Sequence, residues 1–220
     1  MGNLLIVANW KSNKTINEAK NWLEEFKSQD INLDNKEVII CPSFATLAFL
    51  KEEIVRGNLP VSLGAQDISE FGEGAYTGEI NAHQVREFAK YVIIGHSERR
   101  KNFNENDDLL NKKVSMAMSQ EITPIFCISS ADMNVPSQVN IVAYEPIDAI
   151  GTGNADSPSD ADEVARKIKE NNRHVEYVLY GGSVDPDNVS SFTKLENING
   201  VLVGGGSLNA SEFLRIIQNA

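Results

Sequence analysis

A chain of 220 residues, 41% apolar and 23% charged, has the length for one well-buried domain and the balance of an ordered globular protein, which excludes disordered and fibrous classes. Its formal charge of −11 opposes nonspecific attraction to nucleic acid or to an anionic membrane, so neither is an expected partner, although a local basic pocket could hold a small anion. The first residues lack the basic start and apolar stretch of an export signal, and no window reaches the roughly 18 apolar residues of a membrane span, so the expected compartment is the cytoplasm.

Apolar, β-branched runs at residues 4–8, 38–41, 61–64, 91–94, 122–127, 140–143, 177–180 and 201–203 predict eight strands. Helical spacing follows the first at Ile16, Ala19, Leu23 and Phe26, recurs before the seventh at Val164 and Ile168, and closes the chain over residues 208–217. Short continuous apolar strands alternating with amphipathic helices indicate a parallel sheet covered by helices, and eight such units close a (β/α)8 TIM barrel, expected here as a single domain over residues 1–220. The alternative is a six-strand open sheet. A dinucleotide-binding sheet of that kind carries a glycine-rich turn after its first strand, where this chain has Asn9-Trp10-Lys11. Only about ten residues, 129–138, separate the fifth and sixth strands, too few for a crossover helix with both loops, so the fifth βα unit is shortened. Cys41 and Cys127, the only thiols, each sit beside an apolar run and read as reduced barrel-wall residues.

In such a barrel the residues after the C-terminal strand ends face one mouth. They are Asn9 and Lys11, then His96, Ser97 and Glu98, then Glu145, then Gly181, Gly182 and Ser183, and finally Gly204 and Gly205. Both glycine turns lead towards a helix, so bare backbone N–H groups can approach an anion such as phosphate, or the turns are merely tight connections. Lys11 supplies fixed charge over the mouth or is a solvated surface lysine; His96 is a catalyst or a satisfied structural group; Glu145 is a base or only caps and pairs.

The segments Asn9-Trp10-Lys11, Gly95-His96-Ser97-Glu98-Arg99-Arg100, Tyr144-Glu145-Pro146, Ala149-Ile150-Gly151-Thr152-Gly153, Tyr180-Gly181-Gly182-Ser183 and Val203-Gly204-Gly205 resemble, in order and in register, the triosephosphate isomerase family. The resemblance implies an isomerase of glycolysis and gluconeogenesis that interconverts D-glyceraldehyde 3-phosphate and dihydroxyacetone phosphate through an enediolate. It implies Glu145 as base, His96 as neutral electrophile, Lys11 as charge stabiliser and Asn9 as a hold on the substrate oxygen. Phosphate would be bound by backbone N–H groups of Gly151, Ser183, Gly204 and Gly205, and Ser97 and Glu98 would support the reacting groups. Pro146, Ile147, Asp148, Ala149, Ile150, Gly151, Thr152 and Gly153 resemble the family's lid, which excludes water. Gly74-Ala75-Tyr76-Thr77-Gly78-Glu79 is similar to the loop that crosses into a neighbouring subunit, implying a homodimer through Tyr76 and Thr77. Neither metal nor organic cofactor is implied, and no His/Cys cluster at ligand spacing is present in the sequence.

The chain departs from the family where Asp148 replaces a common tryptophan, Asn154 a lysine and Asp67 an asparagine, and where Cys127-Ile128-Ser129-Ser130 lacks the usual glycine and glutamate. The paired loss near the lid implies a hinge anchored through Asp148 near Ser129. With about 250 residues typical of such barrels, the missing fifth helix implies either a small exposed patch of barrel wall or one covered by another subunit. Two alternatives stand beside the isomerase: another phosphosugar barrel enzyme, and a catalytically silent phosphate-binding relative.

Overall fold

The computed structural model describes residues 4–29, 33–146 and 157–220. Among the described residues eight parallel strands, β1 (Leu4–Asn9), β2 (Lys36–Cys41), β3 (Val61–Ala65), β4 (Tyr91–Ile94), β5 (Thr123–Ile128), β6 (Ile141–Tyr144), β7 (Tyr177–Tyr180) and β8 (Gly200–Val203), pair in sequence order. β8 returns to β1 with Leu5 opposite Gly200 and Ala8 opposite Val203, which closes the barrel. The helices are α1 (Ile16–Lys27), α2 (Phe44–Arg56), α3 (Ala82–Val85), α4 (Ser97–Phe103), α5 (Asp107–Ser119), α6 (Pro158–Asn171), α7 (Val189–Thr193) and α8 (Ala210–Asn219). The fold is a (β/α)8 barrel.

The strands read as unbroken apolar runs because both faces are buried. Leu5, Val7, Ile39, Ile93, Ile125, Leu179 and Leu202 fill the barrel interior, while Ile6, Ala8, Val38, Ile40, Ile94 and Val178 pack outward against the helices. Cys41 and Cys127 are free thiols inside the barrel. Burial raises both thiols above the ordinary range, with the nearby charge of Glu145 a second cause at Cys127, so neither is a thiolate at neutral pH.

Thr15 caps α1 in a reciprocal box with Glu18, and the helix buries Ala19, Trp22, Leu23 and Phe26. Ile16, expected on that apolar face, is 49% exposed because the face begins one turn later. The last helix starts at Ala210, since the Asn209 side chain caps it by accepting from Glu212 N–H, and residues 205–207 form a separate 3-10 turn, so Leu208 lies outside both.

No helix lies between β5 and β6. Residues of that link cover the barrel wall themselves: Val135 and Val139 are buried in the outer core, with Met133 packed against it. The Met133 sulfur also accepts from Ser129 N–H at 3.3 Å. The patch that the missing helix would expose is closed by the chain's own loop. Asp148 and Asn154 lie outside the described residues. No helix among the described residues is long and apolar enough to cross a membrane.

Candidate active site

The C-terminal strand ends enclose a cavity of about 270 Å³, lined by Asn9, Lys11, His96, Glu145, Ser183, Gly204 and Gly205 together with the neighbouring glycines. Ser97 and Glu98 stand just behind it. Of the expected phosphate ligands, Gly151 lies outside the described residues, as do the lid residues Ile147, Asp148, Ala149, Ile150, Thr152 and Gly153.

Glu145 extends from the end of β6, where its N–H is held by the Ile128 carbonyl of β5 at 2.8 Å. The residue is 2% exposed, and its carboxylate accepts from Ser97 N–H at 2.8 Å and lies 2.9 Å from His96 Nε2. Gly181 makes room for it: a methyl there would stand 3.0 Å from the Glu145 Cγ and 3.1 Å from the Tyr144 carbonyl oxygen.

His96 caps the N-terminus of α4, and its Nδ1 accepts from Glu98 N–H at 3.2 Å. An accepting Nδ1 carries no proton, which leaves Nε2–H as the donor facing the cavity. His96 is 7% exposed, so this tautomer is fixed in a largely dry setting.

Lys11 adopts a left-handed backbone, φ 52°. Its N–H donates to Asn9 Oδ1 at 3.0 Å, and its carbonyl accepts from Gln66 Nε2 at 2.9 Å. The ammonium pairs with Glu98 Oε1 at 2.6 Å. Glu98 is thus the partner of a lysine at the mouth. A methyl on Gly204 would lie 3.5 Å from Lys11 Nζ, so the cation is pressed against the turn after β8. That turn is tied in turn to α1, whose Trp22 Nε1 donates to the Ser207 carbonyl at 3.1 Å.

Two residues that matter were missing from the strand-end reading, Gln66 and Asp67. They follow β3 immediately, and the rule that picked out the other strand ends would have found them. Gln66 Nε2 bridges the Lys11 and Cys41 carbonyls. Asp67 joins an ion cluster with Arg99, Glu105 and Lys113, in which the side chains of Glu105 and Lys113 are buried while those of Arg99 and Asp67 are 30% and 15% exposed. No group of three or more His, Cys, Asp or Glu residues is arranged to hold a metal ion among the described residues.

Fold and mouth together define a (β/α)8-barrel enzyme whose mouth gathers a buried carboxylate, an imidazole donor and a cation. The triosephosphate isomerase family model matches residues 4–220. Triosephosphate isomerases of Endomicrobium trichonymphae (37% identical over 97% of each chain), Dictyoglomus turgidum (36% over 98% of each) and Aquifex aeolicus (36% over 98% of each) are among its relatives. The chain belongs to the triosephosphate isomerase family and is an isomerase. A catalytically silent relative is not favoured by these matches.

Proposed function

We propose that this chain, as one domain over residues 1–220, interconverts D-glyceraldehyde 3-phosphate and dihydroxyacetone phosphate through an enediolate. Glu145 takes the proton from the carbon beside the carbonyl and returns it to the neighbouring carbon. His96 Nε2–H donates to the substrate oxygens, Asn9 helps to hold them, and Lys11 balances the negative charge that develops. The phosphate rests on the N–H groups of Ser183, Gly204, Gly205 and Gly151, and Pro146 to Gly153 serve as the lid. Ser97 and Glu98 support the base and the lysine.

The observation that carries this reading is the meeting of Glu145 and His96 Nε2 at 2.9 Å in the cavity that also holds Lys11. A base and a neutral donor at that spacing fit a reaction in which a carbon loses its proton while the adjacent oxygen gains charge. The Ser97 N–H holds the Glu145 carboxylate beside His96. The chain acts in the cytoplasm as a homodimer through the Tyr76–Thr77 loop. Phe71 and Tyr76, stacked at 4.1 Å and 38% and 43% exposed, support a contact there.

The test is a coupled assay of glyceraldehyde 3-phosphate turnover on wild type beside Glu145→Gln of equal thermal stability. Turnover that falls by about 10³-fold or more in the variant is expected. A well-folded wild type without turnover would sink the proposal.

A further inference from the structure

We infer that the ion cluster of Asp67, Arg99, Glu105 and Lys113 is a positioning device for His96, and that Arg99 is the member through which it acts. The inference rests on His96 being the electrophile.

The helices around this barrel dock by apolar faces: α1 buries four side chains and α8 five. α4 has seven residues and buries no side chain. Short helices are not stable by themselves and normally rely on such a face. Yet α4 is capped by His96 and begins with Ser97, whose N–H holds Glu145. Something other than apolar packing must fix its direction.

Two arginines do so. Arg100 folds back onto the barrel, donating to the Gly95 carbonyl at 2.8 Å and the Cys127 carbonyl at 3.2 Å. Arg99 reaches the other way. Its Nη2 meets Asp67 Oδ2, and its Nε meets Glu105 Oε1, both at 2.8 Å. Lys113, whose side chain is 5% exposed, closes the ring by pairing with Asp67 and Glu105 at 2.6 Å each. A guanidinium that donates through two nitrogens to two carboxylates on separate segments has its plane fixed as well as its position. Arg99 therefore clamps α4 to the end of β3 and to the turn before α5.

The cluster is poorly built for stability alone. Glu105 Oε2 is buried without a hydrogen-bond partner. Burial also raises the Asp67 carboxyl above its ordinary range despite the two cations beside it. Buried charges kept at such expense fit a role in specifying geometry.

The experiment compares Arg99→Met, Arg99→Lys and Asp67→Ala with wild type. For each it measures kcat and KM for glyceraldehyde 3-phosphate, the melting temperature, and the affinities for 2-phosphoglycolate and for glycerol 3-phosphate. The first ligand has a planar carboxylate resembling the enediolate; the second carries the same phosphate and no such group. A misplaced donor should lower kcat of Arg99→Met about thirty-fold with KM within about two-fold. It should weaken 2-phosphoglycolate by a similar factor and leave glycerol 3-phosphate within about two-fold. Arg99→Lys should recover part of the loss. Asp67→Ala, which removes one of the two anchors outright, should lose about five-fold in kcat and guards against a misfolded Arg99→Met. Folded variants with kcat within about two-fold of wild type overturn the inference, and so does a parallel loss of both ligands, which would mark a general structural role. Full turnover in a folded His96→Gln would instead remove the electrophile on which the inference rests, whatever the Arg99 variants do.

Discussion

Lys11 occupies a backbone region that costs an L-residue roughly 1–2 kcal/mol, and φ 52° there is held open by Asn9 Oδ1 on one side and Gln66 on the other. Strain kept in place by dedicated hydrogen bonds is what aims the ammonium at Glu98 and the turn after β8. Asp67 is a second residue held against its preference. Burial is the largest influence on its carboxyl and raises its pKa above the ordinary 3.8, with Lys113 and Arg99 acting in the opposite sense and Glu105 adding to the rise. A raised carboxyl pKa means that the folded state binds more protons than the unfolded one between 3.8 and the folded value. Folding stability from this group is therefore lost as pH rises through that window and is unaffected below it. The stability of wild type relative to Asp67→Asn should fall as pH is raised from about 4 to neutrality. Urea denaturation of both proteins at several pH values checks this, and a difference that is flat or rises with pH would contradict it.

At the scale of elements, the joint between β1 and β8 is a tight one. Gly200 stands at φ 148°, opposite Leu5, and a methyl there would overlap the Leu5 backbone carbonyl. Gly200→Ala is expected to destabilise the barrel by at least about 3 kcal/mol, since strain and overlap fall on rigid backbone. Thermal melting measures the loss; a shift of less than a degree would refute it. The eight strands were legible because two buried faces leave an uninterrupted apolar run, and the expected bounds differ from the observed ones by two residues at most. The side chains proposed for catalysis were legible because each ends or closely follows a strand, as Asn9 ends β1 and Glu145 follows β6. α4 was less so. Its register comes from the pairing of Arg99 with Asp67, which is distant in sequence and itself held by Lys113, and no periodicity within Ser97–Phe103 announces it. The missing fifth helix was legible from the short spacing of residues 129–138 between two strands, but the role of Val135 and Val139 in covering the wall needed the three-dimensional path of the loop.

For the whole molecule, the stacked Phe71 and Tyr76 place an exposed aromatic pair beside Thr77. If two copies meet there, Thr77→Arg buries a charge in the contact and should yield monomers at micromolar concentration, measured by sedimentation velocity. A Thr77→Arg protein that still sediments as a dimer would move the interface elsewhere. The seam between β1 and β8 joins residues nearly two hundred positions apart, and Trp22 of α1 is bonded to the turn that follows β8. Contacts of such sequence separation form late, after the entropy of closing a long loop has been overcome. The cation of Lys11 and the turn at Gly204 come from opposite sides of that seam. Closure of that seam is what sets the Lys11 cation against the Gly204 turn. Recovery of activity during refolding is thus a clock for ring closure, running behind any signal from helix content or from burial of the early strands.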